Sequence, residues 1–210
     1  MRKYILTIMS LIVILPSWAQ GNAEKLLQKT VAKLEKDGGI QMTMDAITRF
    51  DTGTDRIDLL LKMSDGRFYV QEDENIMWYD GKTLWRGNDF GSGIEEIYIT
   101  EPTAQEKARY DVINLLRKHQ GFNISGNGTD TFILTASEPG HSVEGIRKIT
   151  VKVDPATATP KSLQVEFDEE LGNISASVEI KEYKPGQKFD KETFTCPVKD
   201  FKDAEIIDLR

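Results

Sequence analysis

The sequence has few of the residues that most often carry metal or redox chemistry. Its 210 residues include one cysteine and two histidines. The lone Cys196 excludes an intramolecular disulfide and any thiolate cluster, so stability must come from packing. Its place in "TFTCPV", at the end of an apolar strand pattern, predicts a buried and unreactive thiol. His119 and His141 have no second ligand two to four residues away, which argues against a metal site.

Catalytic motifs and basic charge are equally scarce. Neither histidine has serine and acid partners at the spacing of a known motif, and "GSG" at residues 91–93 lacks the strand-turn-helix context of a nucleophile elbow. The net charge is −7, whereas nucleic-acid binding needs a clustered basic face. We therefore predict a protein that is not an enzyme, with no catalytic residues, no metal, no cofactor and no nucleic-acid partner.

The N-terminus carries an apolar run that is too short to be a membrane span. Two basic residues precede "YILTIMSLIVILP", which is shorter than the roughly 20 apolar residues that a spanning helix needs. The run ends in "SWAQ", where Ser17 and Ala19 are the small residues that a signal peptidase accepts. We predict a signal peptide over residues 1–19 and one exported, monomeric domain over residues 20–210. The absence of cysteine at the cleavage site argues against a lipid anchor there.

Hydrophobic periodicity predicts a mainly β chain with two helices. "NAEKLLQKTVAKLEKDGG" reads as a helix capped by Asn22 and ended by Gly38, with one apolar stripe of Ala23, Leu27, Val31 and Leu34. From residue 40 onward the apolar period becomes two, and some nine to eleven short antiparallel strands form one large curved sheet or barrel. "EPTAQEKARYDVINLLRKHQG" interrupts these strands as a second, mid-chain helix.

The stretch "MWYDGKTLWRGND", residues 77–89, predicts an aromatic hairpin. A two-residue Asp80-Gly81 turn needs positive φ at both positions and places Trp78 and Trp85 diagonally on one face. This register pairs Tyr79 with Lys82, Trp78 with Thr83, Met77 with Leu84 and Ile76 with Trp85. Both faces are largely apolar, which a hairpin with one solvated face would avoid. We therefore expect both sides of this hairpin to be covered.

Five motifs, in order along residues 21–208, resemble the LolA-like family of periplasmic outer-membrane lipoprotein carriers. "WYDGKTLWRGN" is similar to the family's DGKTLW hairpin, and "IQMTMDAITRF" to its first strand. "EPTAQEKARYDVINLL" stands where the family has a mid-chain helix ending in Leu-Leu. "DTFILTAS" is similar to its F-x-L-T-P strand, and "ETFTCPVKDFKDAEIID" to its C-terminal segment.

The resemblance implies an open, incomplete antiparallel β-barrel with a mid-chain helical lid over an apolar cavity. Such carriers hold lipoprotein acyl chains in the cavity, between an inner-membrane release complex and an outer-membrane acceptor. The residues expected to line the cavity are Met42, Met44, Ile57, Leu59, Leu61, Met63, Phe68, Val70, Trp78 and Trp85, and those expected to form the lid are Val112, Ile113, Leu115 and Leu116. Methionine suits such walls because its thioether chain repacks around variable shapes.

One departure and three alternatives accompany this resemblance. The family usually has an Arg-Pro pair before the hairpin, whose arginine latches the lid, whereas "LKMSDGRF" at residues 61–68 has Lys62 and Met63 nearest and no proline. The resemblance therefore assigns no latch residue in this chain. The alternatives are an envelope-stress sensor that detects stray lipoproteins with the same half-barrel, an acceptor tethered to the outer membrane, and a structural β-domain with a filled core.

Overall fold

One helix segment and twelve strands make up most of the regular structure of the described chain. The computed structural model describes residues 15–72, 74–89, 93–102, 116, 121–126, 128–137, 145–168, 170 and 172–210. Helix α1 spans Leu15–Lys36, and the strands are β1 (Gly39–Phe50), β2 (Gly53–Ser64), β3 (Arg67–Glu72), β4 (Asn75–Tyr79), β5 (Leu84–Asp89), β6 (Ile94–Thr100), β7 (Phe122–Gly126), β8 (Thr131–Ala136), β9 (Ile146–Val153), β10 (Pro160–Phe167), β11 (Ser175–Gln187) and β12 (Glu205–Asp208). Two short 3-10 helices, Lys191–Phe194 and Val198–Asp200, lie between β11 and β12.

The strands form a single open sheet. Their order is β12-β6-β5-β4-β3-β2-β1-β11-β10-β9-β8-β7. The strand pairs are antiparallel except β12 and β6, which run parallel. The prediction of one large, mainly β sheet is confirmed, and the sheet is open as the resemblance implies. The sheet has twelve strands where nine to eleven were predicted, because the C-terminal "EIID" forms an additional strand, β12, that pairs with the edge of β6.

Helix α1 packs its apolar stripe against the sheet near β7 and β8. The four predicted stripe residues are all buried, and Gly38 follows the helix with a φ of +65°. The predicted start was wrong for the full chain, because α1 begins at Leu15 and continues through Asn22. Pro16 is compatible with this start, since proline in a first helical turn removes an N–H that has no helical partner. Among the helices of the described residues, none combines the length and the apolar character that crossing a membrane requires.

The predicted register of the aromatic hairpin was wrong by two residues. Tyr79 pairs with Leu84, and Trp78 lies directly opposite Trp85 instead of diagonally. The Asp80 Oδ1 atom accepts hydrogen bonds of 2.8 Å from the backbone N–H groups of both Lys82 and Thr83, which closes a four-residue loop. The predicted register would have placed Lys82 on the apolar face beside Tyr79, and desolvating its ammonium group is costly. In the structure Lys82 extends into solvent and lies 3.2 Å from Glu101.

The two faces of the sheet have different coverings. The helix face, which we define as the face that packs against α1, carries the apolar residues of β1, β2 and β7–β11. Phe68, Tyr79 and Leu84 form a smaller buried cluster on the same face. The opposite face carries Trp78 with Ile97 and Ile99 of β6, which pack against the C-terminal segment 191–208 through Cys196, Val198, Phe201 and Ala204.

The mid-chain helix lies almost entirely outside the described residues. Of the four predicted lid residues, Val112, Ile113 and Leu115 fall there, as do both histidines. Leu116 is described: it has helical conformation, is buried and packs in the core with α1 and β7–β9. The structure therefore places one lid residue against the helix face and does not show a helical lid.

Candidate functional site

An apolar cavity of about 660 Å³ lies on the helix face of the sheet. Its walls come from the end of α1 and from strands that are far apart in sequence. The described lining residues are Leu34, Glu35, Gly38, Met42, Met44, Leu59, Leu61, Met63, Ser64, Asp65, Gly66, Arg67, Phe68, Tyr79, Leu116, Val151, Pro160, Leu163, Val178 and Ile180. A volume of this size is typical of sites for small organic ligands.

Strand pairing brings the predicted methionines together in the cavity wall. Met42 pairs with Leu61 and Met44 with Leu59, because β1 and β2 form a long antiparallel hairpin. On its other side β1 pairs with β11, which places Ile180 opposite Met44. Met44 and Leu59 are only half-buried. These side chains form an apolar wall that keeps part of its surface open to the cavity.

Six of the ten predicted cavity residues line this cavity, namely Met42, Met44, Leu59, Leu61, Met63 and Phe68. Ile57 and Val70 lie on the same face outside the lining, opposite Ala46 and Leu61 respectively. The placement of Trp78 and Trp85 in the cavity was wrong, because both pack on the opposite face. Alternation along a strand shows which residues share a face, and it does not show which face is the inner one.

The lining also contains residues that the sequence analysis did not assign to it. Leu163, Val178 and Ile180 come from β10 and β11, whose period-two pattern predicted strands but gave no strand order. Tyr79 faces the cavity beside Phe68, with which it pairs across β3 and β4, and its hydroxyl donates a 2.7 Å hydrogen bond to the Gly81 carbonyl. Burial and the nearby Asp80 carboxylate raise the pKa of Tyr79 above its ordinary value.

One rim of the cavity is polar and is formed by the turn between β2 and β3. Asp65 and Gly66 are the two central residues of this turn, with φ of 52° and 72°, and Ser64 pairs with Arg67. Positive φ at both positions is the geometry of a type I′ hairpin. The Arg67 Nη2 atom lies 3.2 Å from Asp65 Oδ2, and the guanidinium carbon lies 4.9 Å from the centre of the Phe194 ring.

The end of α1 beside the cavity is fastened to β11. The Tyr183 hydroxyl donates a 2.7 Å hydrogen bond to Asp37 Oδ2, and Lys33 Nζ lies 2.7 Å from Asp37 Oδ1. The Gly186 N–H donates a 2.8 Å bond to the Asp37 carbonyl. Burial, with the Asp37 hydrogen bond and charge, raises the pKa of Tyr183 well above its ordinary value. This anchor fixes the helix end against the sheet.

A second, polar depression of about 580 Å³ lies over β1, β2 and β9–β11 and is lined by charged side chains. Asp45 is one of its lining residues, with its Oδ2 atom 2.8 Å from Arg56 Nη2 and 3.1 Å from Lys181 Nζ. The hydrogen bond from Lys181 is the largest of the effects that lower the pKa of Asp45. Among the described residues, no group of three histidine, cysteine or acidic side chains could hold a metal ion.

Comparison with known proteins gives a likeness of fold. No family model and no curated protein sequence matches the chain. Among solved structures, it is similar to an uncharacterized conserved protein from Thermus thermophilus, with a TM-score of 0.53 and 12% identity over 86% of this chain and 98% of that one. The two proteins share a fold. At this identity the likeness carries no information on function.

Two further solved structures are also similar to the chain. A LolA superfamily protein from Nitrosomonas europaea is 11% identical, covers 84% of this chain and 98% of its own, and has a TM-score of 0.43. LprF from Mycobacterium bovis is 11% identical, covers 83% and 96%, and has a TM-score of 0.41.

Proposed function

We propose that the chain is an exported, monomeric carrier of LolA type that binds lipoprotein acyl chains in its apolar cavity. It would receive them from an inner-membrane release complex and pass them toward an outer-membrane acceptor through the periplasm. The observation that carries this proposal is the 660 Å³ cavity with its wall of methionine, leucine and phenylalanine. The five LolA-like motifs along the sequence support the choice of cargo.

A carrier must hold its cargo and also release it, and the cavity suits both requirements. Burying an acyl chain contributes about 0.8 kcal/mol per CH₂ group, so a fully enclosed chain would be held too tightly to be passed on. This cavity has a polar rim and half-buried walls, which leave part of a bound chain exposed. The methionine side chains at positions 42, 44 and 63 can repack around acyl chains of different shape.

The lid residues Val112, Ile113, Leu115 and Leu116 would close the cavity when it is empty. Each would contribute roughly 1.5–3 kcal/mol if fully buried, and an incoming acyl chain would take their place against the helix face. The burial of Leu116 in the cavity wall supports this role. Because the family's Arg-Pro pair is missing, closure of this lid would rest on apolar contacts.

Export would follow cleavage of residues 1–19, which leaves one domain over residues 20–210. Cleavage after Ala19 would remove the first turn of α1 and bring Asn22 close to the new N-terminus, where an asparagine side chain can cap the helix. N-terminal sequencing of exported protein should begin at Gln20 or Gly21. Retention of the apolar segment on exported protein would contradict this part of the proposal.

Acyl-chain binding is testable with a matched pair of variants on β2. Leu59→Trp places an indole in the cavity wall, whereas Asp58→Trp places one at the neighbouring, exposed position on the opposite face. A fluorescent acyl probe should bind the wild type and Asp58→Trp alike, and binding to Leu59→Trp should weaken at least about tenfold, equivalent to about 1.4 kcal/mol. No saturable binding to the wild type would contradict the proposal and favour a structural domain.

Transport needs a separate test from binding. Native mass spectrometry of protein purified from the periplasm should detect a lipid or lipoprotein adduct. Inner-membrane vesicles that carry an acylated lipoprotein should release it into solution when the purified protein and the release machinery are present. Binding without such release would contradict the carrier role and favour the alternative of a lipoprotein-sensing or other non-catalytic binding module.

A further inference from the structure

The methionines of the described chain are gathered on one face of the sheet. The full sequence has six, and the four that fall within the described residues are Met42, Met44, Met63 and Met77. Met42, Met44 and Met63 line the apolar cavity. Met77 lies on the same helix face and is not among the described lining residues. The cavity wall therefore carries a concentration of thioether groups.

Strand pairing sets the three cavity methionines next to one another. Met42 and Met44 are two positions apart on β1 and therefore point to the same face. On β2, Met63 pairs with Ile40, which makes Met63 a diagonal neighbour of Met42. Met42 is only 9% exposed, whereas Met44 and Met63 are half-buried. The cavity of about 660 Å³ beside them has room for molecules much larger than water, so a small oxidant can reach these two side chains.

A small peroxide can oxidise a thioether without help from a catalytic residue. A sulfur lone pair attacks one oxygen of hydrogen peroxide, an S–O bond forms, the O–O bond breaks and water leaves, so that the sulfur is oxidised by two electrons and the peroxide is reduced. The sulfoxide that results is polar, unlike the thioether. The side-chain hydroxyl groups of the described lining already donate elsewhere, Tyr79 to the Gly81 carbonyl and Ser64 to Asp65. An acyl chain packed on such a sulfoxide would bury a polar oxygen without a partner, which is unfavourable.

We propose that Met44 and Met63 are oxidation sites inside the cavity, where their conversion to sulfoxides by a small peroxide weakens acyl-chain binding. Occupancy controls the reaction in turn, because an acyl chain packed on the two thioethers keeps the oxidant away from their sulfur atoms. The loss of binding rests on the proposed function, whereas access to the two sulfur atoms rests on the cavity geometry alone. Cys196 does not compete for the oxidant in the folded protein, because its thiol is buried.

The first measurement is the rate of oxidation at each methionine. The full chain is treated with hydrogen peroxide, and peptide mass spectrometry follows sulfoxide formation site by site. Met44 and Met63 should react faster than the less exposed Met42. Palmitate at about 100 times its dissociation constant should slow the reaction of Met44 and Met63 at least about tenfold, because little free protein remains. Met77, half-buried on the same face outside the lining, is the internal control and should keep its rate. Equal protection of Met77, or no protection of Met44 and Met63 by bound palmitate, would overturn the inference.

The second measurement is the affinity for a fluorescent acyl probe before and after peroxide treatment. The wild type should lose at least about tenfold in affinity, as expected for burial of an unpaired polar group. A double variant, Met44→Leu with Met63→Leu, is compared with its own untreated sample and should change by about twofold or less, because leucine is similar in volume to methionine and is not oxidised. Met77→Leu should respond to peroxide as the wild type does.

Melting curves of the treated samples separate loss of binding from loss of the fold. If treated wild type unfolds, keeps its affinity although Met44 and Met63 are oxidised, or loses no more affinity than the double variant, this inference alone is wrong. If the untreated protein binds neither the probe nor palmitate, the proposed function is wrong as well.

Discussion

The two faces of this sheet are covered in different ways by the same chain. On the opposite face the C-terminal segment 191–208 packs its own side chains onto Trp78, Ile97 and Ile99, and this cluster is closed. On the helix face α1 covers the part near β7 and β8, and a cavity of about 660 Å³ stays next to β1, β2 and β11. The chain itself fills the opposite face over β4–β6, which we call the filled face, and leaves room on the helix face.

This difference separates the residues that hold the fold from those that can adapt to a ligand. Dense packing makes a buried side chain sensitive to any change in volume, and Trp78 is in such a place, with only 5% exposure. Met44 and Leu59 have free space beside them, so their rotamers can change without loss of packed contacts. Substitutions on the filled face should therefore lower mainly stability, and substitutions in the cavity wall should lower mainly binding.

The largest expected effect is on the filled face. Trp78→Ala should lower the free energy of unfolding by about 3–5 kcal/mol, because it opens a large cavity beneath the C-terminal segment. Met44→Ala, in the half-buried cavity wall, should cost less than half as much. Urea unfolding measures both, and acyl-probe titration of the folded fraction should show that Trp78→Ala still binds. If the two variants lose the same free energy of unfolding, packing on the filled face is no more sensitive to substitution than packing in the cavity wall.

A smaller effect is expected at the loop that joins the two tryptophan-bearing strands. Gly81 has a φ of +102°, which a β-branched residue adopts only with strain, so Gly81→Val should cost roughly 1–3 kcal/mol. The loop turns the chain at the end of β4 and supports Trp78 and Trp85 on the filled face. We therefore expect its first role to be architectural and Gly81→Val to lower stability before it lowers binding.

Thermal melting and acyl-probe binding measure these two effects on the same samples. Gly53→Val is the control, because Gly53 begins β2 with no atom near its missing side chain and without positive φ. It should leave the melting temperature close to that of the wild type. If Gly81→Val keeps its melting temperature and abolishes probe binding, the hairpin is a ligand loop and the proposed order of its roles is wrong.

Two Asp-Gly pairs show how far local sequence predicts a turn. At Asp65-Gly66 both residues have positive φ and the flanking residues pair directly, which is the geometry that Asp-Gly predicts. At Asp80-Gly81 the same dipeptide sits in a four-residue loop, because the register is decided by burial of Leu84 and exposure of Lys82. Side-chain packing outside the turn therefore overrides the preference of the dipeptide.

The cavity shows the same limit at a larger scale. The faces of each strand follow from period-two alternation, and the slip of two residues in the hairpin left the residues of β4 and β5 on their predicted faces, while Lys82 and Thr83 became loop residues. Alternation does not predict the order of the strands in the sheet. Because β1 pairs with β11, Met44 lies opposite Ile180, which is far from it in the sequence. The cavity residues of β1–β3 could be predicted with the help of the family motifs, whereas those of β10 and β11 needed the fold.

The anchor of α1 should have an intermediate effect. Tyr183→Phe removes the hydroxyl that donates to Asp37 and should cost about 1–2 kcal/mol, because hydrogen bonds to charged groups contribute more than neutral ones. Lys33 would still pair with the carboxylate. Tyr98→Phe, which removes a 2.9 Å bond to the near neighbour Glu96 on β6, is the control and should cost less. Urea unfolding measures the free energy of unfolding of both variants. A larger decrease for Tyr98→Phe than for Tyr183→Phe would contradict the conclusion that the bond from Tyr183 to Asp37 anchors α1.

The smallest effect at neutral pH, and the clearest dependence on pH, is expected at Cys196 on the filled face. Burial raises the pKa of its thiol from 9.0 to about 12. The folded state therefore keeps its proton where the unfolded state loses it, so the stability that the neutral thiol contributes is complete below pH 9 and declines as the pH rises toward 12. Cys196→Ala should cost about 1 kcal/mol at neutral pH.

Above pH 9 the stability of the wild type should fall more steeply than that of Cys196→Ala, by up to about 1.4 kcal/mol per pH unit. Tyr69, Tyr79, Tyr98 and Tyr183, whose pKa values are also raised, are shared by the two proteins, so the difference in slope isolates the thiol. Urea unfolding of both proteins at several alkaline pH values measures this difference in slope.

Because the C-terminal segment covers Cys196, a thiol reagent should react with it only after unfolding. Rapid reaction of the native protein would show that this segment does not keep the filled face closed.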